Sequence, residues 1–211
     1  MSRLHSLAAA VALTLVITAP VAAQTTDLSF RPFVMVSYEQ FSAETTFEAA
    51  FDKRAATFFG GGLNIVQDQR FYLELSASKV EMTGQRAFLS NGQAFRLGIP
   101  LTVTITPIEL SAGYRFSPRS IIRPYLGAGV GWYKYEETSD FAVEGENVDT
   151  RKTGGIIEGG VEVRLHRWFG VAGDVHWTYV PDILGTAGLS KDANEKDLGG
   201  FSFRVKVIVG K

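Results

Sequence analysis

The sequence contains no cysteine. This absence excludes a disulfide-stabilised scaffold, a thiolate metal site and a lipid-modified N-terminal cysteine. An excess of charge of one sign is also lacking, because 21 Lys and Arg residues stand against 22 Asp and Glu residues in a chain of 211. A nearly balanced charge provides no electrostatic footprint for nucleic-acid binding, so we expect no nucleic-acid partner. The chain needs a source of stability other than covalent cross-links.

One segment near the N-terminus has the pattern of a targeting signal. Arg3 supplies a positive charge, and Leu7–Ile17 forms an apolar run. Small residues at Val21 and Ala23 match the positions that a signal peptidase recognises. We therefore predict a signal peptide over residues 1–23 and one mature domain over residues 24–211. A transmembrane anchor is the alternative, but the apolar run is too short to cross about 30 Å of hydrocarbon as a helix.

Long amphipathic helices are lacking after residue 23, and segments of alternating hydrophobicity take their place. Glycine is abundant at 22 residues, and aromatic residues make up 12% of the chain. Together these features are typical of an all-β protein with crowded backbones. A period of two indicates β-strands. Eight strands are predicted, at Leu28–Tyr38, Thr57–Val66, Phe71–Met82, Leu101–Phe116, Ile122–Tyr135, Gly155–Leu165, Trp168–Val180 and Leu198–Gly210.

The connections between these segments alternate between long and short. The first connection is the long EQFSAETTFEAAFDKRAA, for example, whereas the fourth and sixth are the short SPRS and HR. Alternation of this kind puts every long loop at one end of a barrel, as in outer-membrane proteins with short periplasmic turns. The fold class predicted is therefore all-β, an eight-stranded antiparallel up-and-down transmembrane β-barrel in the bacterial outer membrane. Acidic residues outnumber basic ones in the long, extracellular loops.

The two faces of the predicted strands differ in polarity. One face is apolar and suits contact with lipid, whereas the other carries equal numbers of acidic and basic residues. The residues predicted to line the lumen are Arg31, Glu74, Glu109, Arg115, Glu158, Glu162, Arg164, Asp174, His176, Arg204 and Lys206. We expect Arg164, Arg204 and Lys206 to pair there with Glu158, Glu162 or Asp174, because an unpaired buried charge is costly. A soluble β-sandwich or lipocalin-like barrel, with its apolar face inside, is the alternative.

Glycines and aromatic residues fit the same barrel. The segment RPYLGAGVGWYKYEE puts glycine at every second position, on the polar face. Eight strands enclose a space just wide enough for side chains, so glycines on that face make room for long polar neighbours. The lumen glycines predicted are Gly60, Gly62, Gly127, Gly129 and Gly131. The residues predicted for the aromatic girdles at the lipid headgroups are Phe116, Trp132, Trp177 and Tyr179.

Two consecutive segments resemble a known family. They are TPIELSAGYRF (Thr106–Phe116) and IRPYLGAGVGWYKYEE (Ile122–Glu137), and they are similar to the outer-membrane-protein β-barrel domain family, which includes OmpW-like and OmpX-like small barrels. The resemblance implies a monomeric eight-stranded barrel, with outer-membrane lipids and the barrel-assembly machinery as partners. It implies no single function, since members are credited with passage of small apolar compounds, adhesion, defence or a structural role.

Residues that could carry catalysis are few, and no cofactor or metal site is predicted. His176 and Thr178 in DVHWT could act as base and nucleophile, but they share the lumen face, where lipid acyl chains cannot reach them. We therefore predict a non-catalytic structural or surface-interaction role. The alternative is an OmpW-like conduit for small apolar molecules, which would leave sideways near Pro107. Around Pro107 the apolar parity switches between Ile105 and Ile108, as a bulge requires.

Overall fold

The computed structural model describes residues 27–90, 93–139, 147–185, 190–191 and 193–210. The predicted signal peptide lies outside these residues. Eight antiparallel strands close into a barrel in chain order, with the last strand paired to the first. The strands are β1 (Leu28–Phe41), β2 (Ala55–Gln67), β3 (Phe71–Ser90), β4 (Gln93–Arg115), β5 (Ile122–Thr138), β6 (Val148–His166), β7 (Phe169–Val180) and β8 (Leu198–Val209). The predicted fold class is confirmed. The described part of the chain holds no helix long and apolar enough to span a membrane.

The two ends of the barrel differ as the loop pattern predicts. The β2–β3, β4–β5 and β6–β7 connections are short and define what we call the short-turn end. At the opposite, long-loop end, the third connection was expected to be a loop but is mostly strand. β3 and β4 stay paired as far as Ser90 and Gln93, and the rings of Phe88 and Phe95 stack with centroids 5.4 Å apart. The hairpin therefore extends the sheet beyond the rest of the barrel.

Large apolar side chains cover the outer surface of the strands. Val34, Leu75 and Phe203 lie in mid-strand, yet they are 64%, 49% and 56% exposed. A soluble barrel would bury such side chains, because exposed apolar surface of this extent is unfavourable in water. The outer surface is therefore the lipid-facing surface of a membrane barrel, and the lipocalin-like alternative does not fit.

The four girdle residues lie on that outer surface. Phe116 is at the short-turn end, and Trp132, Trp177 and Tyr179 are towards the long-loop end; their exposed fractions run from 38% to 49%. The rings of Trp177 and Tyr179 stack almost in parallel, with an interplanar angle of 4°. This placement suits amphipathic rings at the level of the lipid headgroups.

The outer part of the lumen is apolar, which differs from the expectation for the fourth strand. Leu101, Val103 and Ile105 are buried and share the inward face of β4 with Pro107 and Glu109. The inward parity is continuous, and the β3–β4 register is the same on both sides of Pro107. The predicted bulge at Pro107 is therefore wrong, because the apolar residues that suggested it face inward.

A short helix explains why apolar residues face inward there. The first long connection folds into α1 (Glu44–Phe51), and Phe47, Ala50 and Phe51 on its buried face join the apolar cluster of the outer lumen. The ring of Phe47 stacks on that of Phe41 with centroids 4.0 Å apart. Eight residues are too few for a stable isolated helix. Burial in the mouth of the barrel therefore stabilises α1.

Charged side chains from β4 and from the last long connection hold the two ends of α1. At its N-terminus, Glu195 accepts hydrogen bonds from the backbone N–H groups of Thr45 (3.0 Å) and Thr46 (2.8 Å). At its C-terminus, Arg96 donates to the carbonyl oxygens of Ala49 (2.9 Å) and Glu48 (3.2 Å). A carboxylate at the first end and a guanidinium at the second satisfy free backbone groups and match the helix dipole.

The Arg96→Gln substitution should loosen α1 without unfolding the barrel. The guanidinium also pairs with Asp52, directly after the helix, so its removal breaks contacts with both the helix and its C-cap residue. We expect amide hydrogen exchange over residues 44–51 to accelerate by roughly tenfold in detergent micelles, with strand amides unchanged. Lys53→Gln removes a nearby positive charge that has no such contacts and serves as the control. Equal exchange in the two variants would contradict the role of Arg96.

The same contact predicts a pH dependence. The Arg96 side chain, chiefly through its hydrogen bonds, lowers the pKa of the Asp52 carboxyl below the ordinary 3.8. A carboxyl with a lowered pKa in the folded state stabilises that state above its ordinary pKa, and the contribution is lost as the pH falls through the lowered value. The protection of the α1 amides from hydrogen exchange should therefore persist at neutral pH and should decrease when the pH is lowered below about 4. In Asp52→Asn this pH dependence should be absent.

Candidate functional site in the barrel lumen

The lumen brings together charged residues from seven strands. The charged or ionisable residues predicted from the sequence that are buried on the inner face are Arg31, Glu74, Glu109, Arg115, Glu158, Glu162, Asp174, His176, Arg204 and Lys206. Each is at most 8% exposed. Strand alternation explains their common face, and closure of the barrel brings them within hydrogen-bond distance of one another. The arrangement is a buried polar network, which is stable only if its members are paired.

Arg204 lies at the centre of this network. Its Nε donates to Asp174 Oδ1 at 2.6 Å, its Nη1 donates to Glu109 Oε2 at 3.4 Å, and its Nη2 pairs with Glu158 Oε2. The three carboxylates come from β7, β4 and β6, so one guanidinium on β8 cross-links four strands. Its planar donors can serve several acceptors at once, which the point charge of a lysine cannot do in the same way.

Lys206 forms a second junction, nearer the short-turn end. Its Nζ lies 2.5 Å from Glu74 Oε1 and 3.2 Å from Asp174 Oδ2. The same ammonium lies 5.3 Å from the ring centroid of Phe33 and 5.7 Å from that of Tyr125, within the range of cation–π contacts. Asp174 therefore joins the Arg204 and Lys206 junctions into one network.

Three tyrosines that were not predicted from the sequence also belong to the network. The hydroxyl of Tyr72 donates to Glu158 at 2.8 Å, that of Tyr125 to Asp174 at 2.7 Å, and that of Tyr133 to Glu109 at 2.7 Å. The Tyr133 hydroxyl satisfies Glu109 Oε1, whereas Glu158 Oε1 also accepts from Ser111 and Asp174 Oδ2 also lies near Lys206 Nζ. The available signal was the inward parity of Tyr125 and Tyr133, which lie on the same face of β5 as the glycines.

The lumen glycines act in two ways. A Cβ at Gly127 would collide with the Tyr72 hydroxyl, and one at Gly131 would come within 2.5 Å of the Tyr133 ring. These two glycines leave space for the tyrosines that reach Glu158 and Glu109. At Gly60, Gly62 and Gly129, a Cβ would collide with the neighbouring strand's backbone at Ala77, Leu75 and Leu110 respectively. Those three glycines therefore allow close approach of strands.

Arg164 requires a correction. It lies on the inward face of β6, but it forms no ion pair with a described carboxylate; its Nη2 donates to the carbonyl oxygen of Arg167 at 2.7 Å. The reason is its position along the barrel axis, because Arg164 is two residues from the end of β6 and only half-buried. Arg123, which is not among the residues predicted from the sequence, is 6% exposed and lies opposite Glu162 in the β5–β6 ladder.

His176 and Thr178 are enclosed by the network. They are 3% and 5% exposed, and His176 Nε2 lies 3.9 Å from Glu109 Oε2 without a hydrogen-bond partner among the described residues. Glu158 and Asp174 nearby are already bound by Arg204. Within the residues that the structure describes, no group of His, Cys, Asp or Glu side chains has a metal-binding arrangement. Both side chains therefore lie within the buried polar network.

The Arg204→Ala substitution should strongly destabilise the barrel. It leaves Asp174, Glu158 and Glu109 with their central partner removed, and breaking a buried pair in this way costs about 3–5 kcal/mol. The measurement is the urea midpoint of unfolding in lipid vesicles. Arg54→Ala is the control, because Arg54 pairs with Glu48 at the exposed surface and its loss should change little. Equal midpoints for both variants would show that the network does not stabilise the fold.

Gly127→Ala tests the space that Tyr72 occupies. The added methyl group should displace the Tyr72 hydroxyl from Glu158, with a destabilisation of about 1–3 kcal/mol. Gly155→Ala is the matched control, because Gly155 lies on the outer face and a Cβ there has no atom within 4 Å. The unfolding midpoint of the control should stay at the wild-type value. A wild-type midpoint in Gly127→Ala would overturn this explanation of the glycine.

Comparison with known proteins agrees with this architecture. A family model described as outer membrane protein beta-barrel domain matches residues 9–207. No curated protein matches the chain. Neisserial surface protein A is similar in structure, with a TM-score of 0.50 and 14% identity over 87% of this chain and 99% of that chain.

Two further solved structures are similar. Ail, the attachment invasion locus protein of Yersinia pestis, was solved in complex with the heparin analogue sucrose octasulfate; it has a TM-score of 0.50 and 12% identity over 87% of this chain and 98% of that chain. A major outer membrane protein from Thermus thermophilus has a TM-score of 0.51 and 10% identity over 86% of this chain and 99% of that chain. Identities this low show the fold alone. The family match, which spans most of the sequence, shows that the chain belongs to the outer membrane protein β-barrel domain family, whose members lie in the bacterial outer membrane.

Proposed function

We propose that the protein is a closed outer-membrane barrel with a non-catalytic structural or surface-interaction role. The observation that carries this proposal is the double closure of the lumen. A polar network fills the middle of the barrel, and α1 with its apolar cluster fills the outer mouth. As partners we propose the outer-membrane lipids around the barrel and the assembly machinery that inserts it, and we propose a monomer.

The packing inside the lumen supports closure to ions and polar solutes. Phe41, Phe47 and Ile105 in the outer part are each 1% exposed. Below them, the cavity bounded by Tyr72, Glu74 and Lys206 has a volume of about 10 Å³, room for about one water molecule. An ion would have to displace paired charges and then the apolar plug, so the barrel should not conduct at rest.

The long-loop end supports a role at the cell surface. The β3–β4 hairpin projects there, with Phe88 and Phe95 each more than 40% exposed. Ail was solved with a polyanionic heparin analogue, but acidic residues outnumber basic ones over the long loops of this chain. Glu44 and Glu48 pair with Arg54 there, and Asp52 pairs with Arg96. A surface partner with cationic or neutral groups suits this end better than a polyanion.

A conduit for small apolar molecules is the second candidate function. The apolar outer lumen and Pro107 favour it, because proline has no N–H and the β3–β4 ladder skips Ser78 and Lys79 opposite this part of β4. A ligand would enter where α1 sits and leave sideways through that gap. This candidate therefore requires α1 to move.

Planar bilayers with purified protein test the closed barrel. We expect no steady conductance steps in the wild type. Removal of both helix contacts in Arg96→Gln/Glu195→Gln should produce brief openings, because the plug then loses the contacts that bind the ends of α1 to β4 and to the last long connection. Large, reproducible steps in the wild type would overturn the proposal.

Liposome uptake of an apolar dye separates the two candidates. For the closed barrel, uptake should equal that of empty liposomes. A conduit predicts uptake by the wild type and a decrease in Pro107→Thr, which restores an N–H to the ladder. Uptake above the background in the wild type would therefore favour the conduit.

A further inference from the structure

The buried charges of the lumen balance in number but not in position. The buried acidic residues are Glu74, Glu109, Glu158, Glu162 and Asp174, and the buried basic residues are Arg31, Arg115, Arg123, Arg204 and Lys206. Arg204 and Lys206 serve all of these acids except Glu162. The remaining arginines gather around Glu162 at the short-turn end, with half-buried Arg164 beside them. Positive charge is therefore concentrated at this mouth of the barrel.

One carboxylate is shared among the guanidinium groups of this mouth. Arg31 contacts Glu162 at 2.6 and 3.0 Å, and Arg115 pairs with the same carboxylate. Arg123 lies opposite Glu162 in the ladder, but its hydrogen bond runs from Nε to the carbonyl oxygen of Ser120 at 2.9 Å. Arg164, as described above, donates to turn carbonyls. Neither Arg123 nor Arg164 forms an ion pair with a carboxylate of the described residues.

A cavity of about 360 Å³ lies among these arginines. Arg31, Arg115, Arg123 and Arg164 line it, and Asp27 is the acidic residue in its wall. Arg31 is 4% exposed, and its Nε has no hydrogen-bond partner among the described residues. Buried cations in such excess are costly without a counter-charge. The cavity therefore has the size and the charge to hold an anion.

The cavity also borders the lipid-facing surface. The β1–β8 ladder ends at the Phe33–Ile208 pair, so the start of β1 has no ladder partner in β8. Leu28, Phe30 and Trp168 line the same cavity and are at least half exposed on the outside of the barrel. An anionic group can therefore approach from the periplasm or from the headgroups of the periplasmic leaflet.

We propose that this short-turn mouth is a binding site for a phosphate group. Planar guanidinium groups recognise phosphate oxygens through paired, charge-assisted hydrogen bonds. Arg123 and Arg164 supply the free donors, and Arg31 and Arg115 supply charge that Glu162 only partly offsets. The phosphate belongs either to a phospholipid headgroup of the periplasmic leaflet or to a soluble periplasmic compound. The site lies at the opposite end from α1 and does not depend on whether the outer mouth is closed.

Titration with inorganic phosphate tests the site in the full chain in uncharged detergent. At constant ionic strength, phosphate should raise the unfolding midpoint more than chloride does, since a ligand of the folded state stabilises it. Arg123→Gln and Arg164→Gln should each weaken the apparent phosphate affinity by about tenfold. Arg119→Gln is the control, because it removes the same charge from a turn at this end and does not line the cavity.

The midpoint in chloride serves as the control for a loss of folding stability in each variant. Arg123→Gln removes a charge without an ion pair and also the hydrogen bond to Ser120, so the phosphate response of each variant is measured relative to its own midpoint in chloride. If phosphate and chloride have equal effects on the wild type, or if Arg119→Gln loses as much affinity as Arg123→Gln, the proposal is overturned.

Nanodiscs distinguish the two possible sources of the phosphate group. Wild-type protein is reconstituted with phosphatidylglycerol, extracted and analysed for bound lipid by native mass spectrometry. Lipid that is retained by the wild type and by Arg119→Gln but lost from Arg123→Gln supports a headgroup ligand. Binding of inorganic phosphate with no retained lipid supports a soluble ligand, and absence of both contradicts the site.

Discussion

A charge inside a narrow membrane barrel must find its counter-charge on another strand, and the rest of this structure depends on that constraint. Lipid outside and side chains inside leave little water to solvate an ion, so an unpaired charge there would cost several kcal/mol. Arg204 meets the constraint by contacting three carboxylates from three strands. Tyr72 and Tyr133 donate hydrogen bonds to carboxylates of the network, and their rings fit in the lumen only where a neighbouring residue has no side chain. The network therefore requires glycine at positions 127 and 131, because a side chain at either position would collide with Tyr72 or Tyr133.

The network also explains the change of polarity along the lumen. Charged residues concentrate in the middle of the lumen, where strands on all sides supply ion-pair partners, whereas the outer part lies near the long loops. Apolar packing replaces ion pairs there, with α1 as an additional layer over Val103 and Ile105. Polar contacts return at the rim, where Arg96 and Glu195 are near water and bind the ends of the helix. The helix thus closes the mouth by burial and is oriented by its termini.

Local patterns were enough to predict the strands, their faces and the loop alternation, because the period of two and the turn lengths are local properties. The position of a residue along the barrel axis depends on the whole assembled barrel, and this accounts for most of the differences between the predictions and the structure. Parity put Arg164 inside, but only the assembled turn shows that it ends among backbone carbonyls while Arg123 lies opposite Glu162. The inward position of Leu101 and Val103 is not predictable from the strand alone, because an inward apolar face requires a plug and an eight-residue helix is too short to recognise from periodicity. Local sequence patterns also could not predict which charged residues pair across the lumen, because the pairing depends on the register of strands that are distant in sequence.

The two ends of the lumen therefore present different surfaces to different compartments. At the outer end, apolar groups are packed and their flanking charges are paired with one another. At the short-turn end, the guanidinium groups of Arg123 and Arg164 face a cavity without ion-pair partners among the described residues. A network whose only purpose was to fill the barrel would place equal numbers of both charges at each level, because that arrangement minimises the cost of burial. The excess of positive charge at one mouth departs from that minimum, and a bound anion would offset this excess.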